Sequence, residues 1–157
     1  MFNIINKMKK EFIIILLLAC LGVWVYKRTL ESVAVISVVG MYFVSGVDKL
    51  NIRNAVLGGD DTGRLKKKYK DTDLSGFVNK YAGILVFVGG LVELLASIGL
   101  IYGYFMNKRF MKRVSIISLV VFTILATIMF YANPILGYKA LPTISNINAI
   151  GGLLSLF

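Results

Sequence analysis

Residues 77–105 read FVNKYAGILVFVGGLVELLASIGLIYGYF and form the longest apolar block of the chain. An α-helix of this length reaches ~44 Å, more than the ~30 Å hydrocarbon core of a bilayer. The block therefore predicts a membrane-spanning helix. The carboxylate of Glu93 lies near its middle, where lipid offers no partner for a charge.

The composition of the whole chain favours the same environment. Of its 157 residues, 57% are hydrophobic, and the mean hydropathy is +0.77. A water-soluble domain of this size has too little interior to hide so much apolar surface. The apolar residues are gathered in blocks at 12–26, 32–47, 77–105, 114–131 and 143–157. We therefore expect an all-α integral membrane protein that crosses its bilayer several times.

The blocks divide the chain into two parts. Residues 1–28 are expected to form an additional apolar helix that either anchors the chain or lies at the interface. Residues 29–157 are expected to form a four-helix membrane bundle. The polar segment 51–76 predicts a loop outside the bilayer, with a short surface helix near 65–70.

The charge of the chain is strongly positive, with 18 Lys and Arg residues against 8 Asp and Glu residues. These basic residues flank apolar blocks, so lipid headgroups rather than nucleic acids are the expected partners. The basic link 108–113 favours a cytoplasmic location by the positive-inside rule. The residues expected to face headgroups are Lys66, Lys67, Lys68, Lys108, Arg109, Lys112 and Arg113.

The residue types that are missing limit the chemistry. The chain has no histidine, which excludes a histidine general base and the common zinc sites. Cys20 is the single cysteine, so no disulfide or CxxC redox pair forms within the chain. We therefore predict no catalytic residues, no metal site and no cofactor held by the chain itself.

Small residues inside the apolar blocks predict where helices touch, because small side chains let helix backbones approach closely in lipid. Several of them share a helix face with Glu93 or recur on a face of the first or last block of the bundle. The predicted packing residues are Gly46, Gly89, Gly90, Ser97 and Gly152.

Glu93 is the most informative residue of the sequence. A charge at this depth is costly and is expected to face the bundle with a polar partner, for which Lys49 and Asn148 are the candidates. Three roles stay open for Glu93: a structural clasp, a group that transfers protons or contacts a ligand, and a cavity-facing residue without a role. Asp48, one position from Lys49, is expected to be the water-facing end of its span.

Three segments of the chain resemble the DoxX-like family of small membrane proteins. MYFVSGVDKL at 41–50 is similar to the end of that family's first helix, with Phe43, Gly46 and Lys49 at three-residue spacing. LVELLASIGLIYG at 91–103 resembles the second helix, in which Glu93 matches a glutamate, and NAIGGLLSLF at 148–157 is similar to the closing helix. The resemblance implies a four-helix membrane bundle.

The expected function follows from this resemblance together with the predicted lack of catalytic residues. We expect an accessory or structural subunit of a larger membrane or virion assembly, with lipids and other protein subunits as partners. Two alternatives remain. One is the membrane component of a quinone- or thiol-linked oxidoreductase, in which Glu93 relays protons, and the other is a carrier that holds a small molecule or lipid near Glu93.

Overall fold

The computed structural model describes residues 14–15, 17–22, 30–50, 61–133 and 137–157. Residues 14–15 and 17–22 are helical and belong to the expected N-terminal helix, most of which lies outside the described residues. The remaining elements, in chain order, are α1 Leu30–Leu50, α2 Asp61–Lys68, α3 Ser75–Phe105, α4 Arg109–Phe130, β1 Ala132–Asn133, β2 Gly137–Tyr138 and α5 Ala140–Leu154.

Helix α3 is the centre of the architecture. Its most extensive contacts are with α1 and α4, while α2 lies against its beginning and α5 packs on α4. The two short strands pair antiparallel, Ala132 with Tyr138 and Asn133 with Gly137, and turn the chain between α4 and α5. This part of the chain is therefore all-α in character, as the sequence predicts.

Two groups of buried apolar residues hold the helices together. The larger group joins α1, α3, α4 and the end of the chain and contains Val35, Val39, Ala96, Leu100, Ile116, Leu119, Leu153 and Leu156. The smaller group contains Leu65, Tyr69, Val78 and Ala82, with Met129 and Phe130 packed against it. The second group fixes α2 across the beginning of α3 and the end of α4.

Within the described part of the chain, three helices are long and apolar enough to cross a membrane: α1, α3 and α4. Their outer faces expose large apolar side chains such as Ile84, Leu95 and Leu125. This pattern fits lipid as the surrounding solvent, because water would not favour such surfaces. Helix α5 has 15 residues and reaches ~22 Å, less than a bilayer core.

Several helix boundaries differ from the sequence expectation. Helix α3 begins at Ser75 without a capping side chain, although Asp73 and Ser75 are both available there. Helix α4 begins at Arg109, so most of the basic link is its first turn rather than a loop. Helix α2 covers 61–68 rather than 65–70. Sequence patterns predict helix ends only to within a few residues, because tertiary packing decides whether the final turn is helical.

Candidate functional site

Glu93 and Lys49 form an ion pair inside the bundle. The Lys49 Nζ lies 2.7 Å from Glu93 Oε2, and the Glu93 residue is only 3% exposed. Ser45, one turn before Lys49 on α1, donates its hydroxyl to Glu93 Oε1 at 3.2 Å and accepts a hydrogen bond from the Lys49 amine. Both carboxylate oxygens are therefore occupied by groups from the last turns of α1.

Two glycines allow this contact. A Cβ atom at Gly46 would lie 2.8 Å from the carbonyl oxygen of Gly90, and one at Gly90 would lie 2.9 Å from the Cβ of Lys49. Helices α1 and α3 thus cross almost backbone to backbone, as small residues permit in membrane helices. The close crossing brings the Lys49 amine within reach of Glu93.

The surroundings of the pair are largely apolar. The ring of Phe122 from α4 lies below the Lys49 amine, 5.6 Å from Nζ to the ring centroid. Charges in such a place are costly to desolvate, and each charge of the pair offsets part of that cost for the other. The arrangement joins α1 to α3 and places an ion pair at the edge of a cavity.

A second group of side-chain hydrogen bonds connects α1, α4 and α5. Thr123 donates its hydroxyl to the Leu119 carbonyl at 2.7 Å, so in the hydrogen bond that it shares with Tyr42 the tyrosine is the donor. One turn later on α4, the Thr127 hydroxyl accepts from the side-chain amide of Asn146 at 2.9 Å. These contacts place polar groups of three helices beside the ion pair.

A cavity of about 630 Å³ lies between α3 and α4 and ends at these polar groups. The polar part of its lining consists of Ser45, Lys49, Asp61, Glu93, Ser118, Thr123, Tyr131 and Asn146. Its walls are apolar side chains that are also exposed on the outer surface of the helices: Leu85, Val88, Ile117, Val121 and Leu125. The cavity therefore opens sideways, between α3 and α4, onto the apolar outer surface of these helices. We call it the lateral cavity.

The predicted partner Asn148 lies elsewhere. It is exposed on α5, and the hydrogen bonds of Glu93 go to Ser45 and Lys49 instead. Residues 146 and 148 are two positions apart and so lie on nearly opposite faces of a helix. The amide that reaches the lateral cavity is that of Asn146, which the sequence analysis did not single out.

Asp48 is also placed differently from the expectation. It is 5% exposed and therefore buried, so the interpretation of Asp48 as a water-facing end is wrong. Lys49, the other candidate partner, reaches the carboxylate of Glu93 directly.

The predicted packing residues divide into two groups. Gly46, Gly89, Gly90 and Ser97 are buried between helices. A Cβ atom at Gly152 would meet nothing within 4 Å, so this glycine is not a close-packing position in this structure. The end of α5 touches its neighbours through larger side chains such as Leu153.

The basic residues lie at two opposite ends of the bundle. Lys66 and Lys67 are exposed on α2, and the neighbouring Lys68 donates to the Phe130 carbonyl at 2.6 Å. Burial there, together with the nearby charge of Lys139, lowers the pKa of the Lys68 amine below its usual value. Lys108, Arg109, Lys112 and Arg113 lie at the other end, where α3 joins α4.

The sequence analysis missed three contributors to the site: Thr123, Thr127 and Asn146. A signal was present for the threonines, because residues four apart share a helix face and both interrupt an otherwise apolar block. The sequence prediction treated residues 114–131 only as an apolar block. Intramembrane hydroxyl pairs of this kind indicate a face that contacts another helix or a polar cavity.

Comparison of the chain with protein-family models, with curated proteins and with solved structures finds no match. The class of this protein is therefore described from its own fold and site. It is a helical protein with three span-length helices, a buried Lys–Glu pair and a cavity that opens between two of those helices.

The hydrogen bond between Tyr42 and Thr123 gives a first testable expectation. Replacing Tyr42 by Phe removes the donor while keeping the ring, and it should lower the free energy of unfolding by about 1 kcal/mol. Thermal unfolding in mild detergent measures the change. Tyr102→Phe is the matched control, because that side chain is exposed on α3. An equal effect of the two substitutions would show that the hydrogen bond does not stabilise the bundle.

Proposed function

We propose that the chain is a multi-pass integral membrane protein, built as a DoxX-like four-helix bundle, that binds a lipid or another amphipathic small molecule in the lateral cavity. In this arrangement α1, α3, α4 and α5 are the four helices of the bundle. The observation that carries the proposal is the cavity itself, whose apolar walls open toward lipid and whose inner end holds the pair Lys49–Glu93.

The dimensions and the chemistry of the cavity support this proposal. A volume of about 630 Å³ lies within the usual range for small-molecule sites, which are mostly apolar with a few polar groups that fix orientation. The exposed side chains of Val88 and Val121 at its opening would contact a hydrocarbon tail. The inner ion pair and the amide of Asn146 offer donors and acceptors for a polar head.

Entry from the bilayer would affect the two parts of such a ligand differently. Its apolar part would remain in an apolar medium throughout entry, so no burial of water-exposed hydrocarbon is needed. Its polar head would leave the interface and would require hydrogen-bonding partners inside the bundle. Lys49 and Glu93 supply both signs of charge, which favours a head that carries donor and acceptor groups together.

The proposal is tested by filling the cavity from its wall. Val121→Trp places a large ring in the opening and should reduce the co-purified ligand at least about fivefold, as measured by mass spectrometry of organic extracts from the purified protein. Leu95→Trp is the control, because Leu95 is exposed on α3 and does not line the cavity. Equal ligand content in the two variants would contradict the proposal.

A second proposal is the accessory-subunit function expected from the sequence. Two large apolar side chains favour it: Phe110 is 76% exposed and Leu141 is 82% exposed, each in the first turn of a helix. Positions near an interface are covered less well by lipid tails than positions at mid-span, so a neighbouring subunit would explain them. Co-purification in mild detergent tests this proposal, and a lone monomer would contradict it.

The oxidoreductase alternative uses the same carboxylate and can be separated from both proposals. Glu93→Gln removes the titratable group while keeping its size. If Glu93 relays protons in a quinone-linked assembly, this variant should lose quinone-dependent turnover. Turnover at the wild-type rate would exclude the relay.

A further inference from the structure

A second cavity lies at the other end of α3 and is unrelated to the lateral cavity. Its volume is about 600 Å³, and it is enclosed by the beginning of α1, the end of α3 and the first turns of α4. Its lining includes Glu31, Tyr104, Arg109, Lys112 and Arg113. We call it the basic cavity.

The charges that line the basic cavity are unbalanced. Among the side chains, three cations, Arg109, Lys112 and Arg113, face one carboxylate, that of Glu31. Glu31 accepts from the Lys112 amine at 3.0 Å, and within the described residues no ion pair involves either arginine. The cavity therefore keeps an excess of positive charge after its internal pair is counted.

The backbone adds to the same excess. The three cations lie in the first five residues of α4, whose helix dipole places partial positive charge at this end. Basic side chains there are unfavourable unless an anion approaches, and the N-cap residue Lys108 supplies no capping hydrogen bond. An anion in the cavity would be stabilised by the side chains and by the free N–H groups together.

The rim of the basic cavity indicates where the anion comes from. Aromatic side chains contribute to its lining, among them Tyr104, Phe105 and the 53% exposed Phe157, and the Arg113 guanidinium lies 5.2 Å over the ring of Phe157. A water-soluble anion would leave these side chains in contact with water. The acyl chains of a lipid would cover them while its phosphate lies among the cations.

We propose that the basic cavity binds the phosphate of an anionic phospholipid at the membrane interface, with Arg109 and Arg113 as its main contacts. Guanidinium groups are suited to this role because they donate two parallel hydrogen bonds to phosphate oxygens. Lys112 is held by Glu31 and by the Tyr104 ring, 5.8 Å from its amine, so it contributes charge from a fixed position.

The experiment measures lipid binding to the full chain in mild detergent by native mass spectrometry. Phosphatidylglycerol should bind, and phosphatidylcholine should bind at least about tenfold more weakly. The double variant Arg109→Gln/Arg113→Gln should lose about tenfold or more in affinity for phosphatidylglycerol, because basic residues near an anionic surface each contribute appreciably. Its matched control is Lys66→Gln/Lys67→Gln, which removes two exposed cations from α2.

A second variant changes binding in the opposite direction. Glu31→Gln removes the one carboxylate of the lining and should tighten phosphatidylglycerol binding by about threefold or more, an effect that a purely structural role for Glu31 would not produce. Separate samples with inorganic phosphate and with glycerol phosphate distinguish a lipid from a free anion. Equal affinity of both double variants for phosphatidylglycerol, or binding of free phosphate as tight as that of the lipid, would overturn the proposal.

Discussion

Replacing Glu93 by Leu is expected to lower the free energy of unfolding of the detergent-solubilised protein by about 3–5 kcal/mol. The substitution leaves the Lys49 ammonium beside the Phe122 ring and a single hydroxyl, without the carboxylate 2.7 Å away that compensates its desolvation. Lys49→Met should cost a similar amount, because it strands the carboxylate of Glu93. Thermal unfolding or resistance to denaturing detergent measures both effects.

The stability of the double variant shows whether Lys49 and Glu93 stabilise each other or contribute independently. Lys49→Met/Glu93→Leu replaces both charges by apolar groups, which is often close to neutral for a buried pair. We expect it to be more stable than either single variant. Lys66→Met, at an exposed position of α2, serves as the control for loss of a lysine. Additive losses in the double variant would show that the two charges do not stabilise each other.

Alanine at Gly46 or Gly103 is expected to destabilise the bundle by about 1–3 kcal/mol each. A Cβ atom at Gly103 would lie 2.5 Å from the backbone nitrogen of Lys112, and one at Gly46 would lie 2.8 Å from a backbone oxygen of α3. Backbone atoms cannot rotate away as a side chain can. The helices must therefore separate, which weakens the packing of α3 on both sides.

Gly83 provides the matched control on the same helix as Gly103. A Cβ atom there would meet nothing within 4 Å, so Gly83→Ala adds a methyl group to open surface. This change should be neutral or should stabilise the protein by up to about 1 kcal/mol through helix propensity. The order of thermal stability should thus be Gly83→Ala above both of the other variants. A loss as large for Gly83 as for Gly103 would contradict the close-packing explanation.

The centre of the site could be predicted because two rules of membrane energetics apply to it directly. A carboxylate at mid-span must find a partner, and small residues mark the faces where helices meet. Glu93, Lys49, Gly46 and Gly90 follow from these rules. The same rules do not say which face of α5 lies toward the cavity, because the rotation of α5 depends on its packing against α4. For this reason Asn148 was predicted, whereas Asn146 forms the hydrogen bond in the structure.

The parts that sequence reasoning missed depend on contacts between distant segments. Asp48 is buried at the end of α1, although it stands at the edge of an apolar block. Leu65, inside a polar stretch, is 1% exposed because α2 packs on Val78 and Ala82 of α3. A short polar helix with one buried leucine has too little periodic signal to predict such packing.

The placement of α2 has a consequence for the way this chain is assembled. The Lys68 amine and the Tyr69 hydroxyl donate to the carbonyls of Phe130 and Met129, which lie 62 and 60 positions later in the sequence. The carbonyls at the end of α4 therefore accept hydrogen bonds from a segment that is synthesised well before α4 itself. In the membrane arrangement that we propose, that segment must wait at one surface of the membrane until α3 and α4 have inserted as a hairpin. Reaching the correct surface is then a condition for closing the bundle, which couples topology to folding.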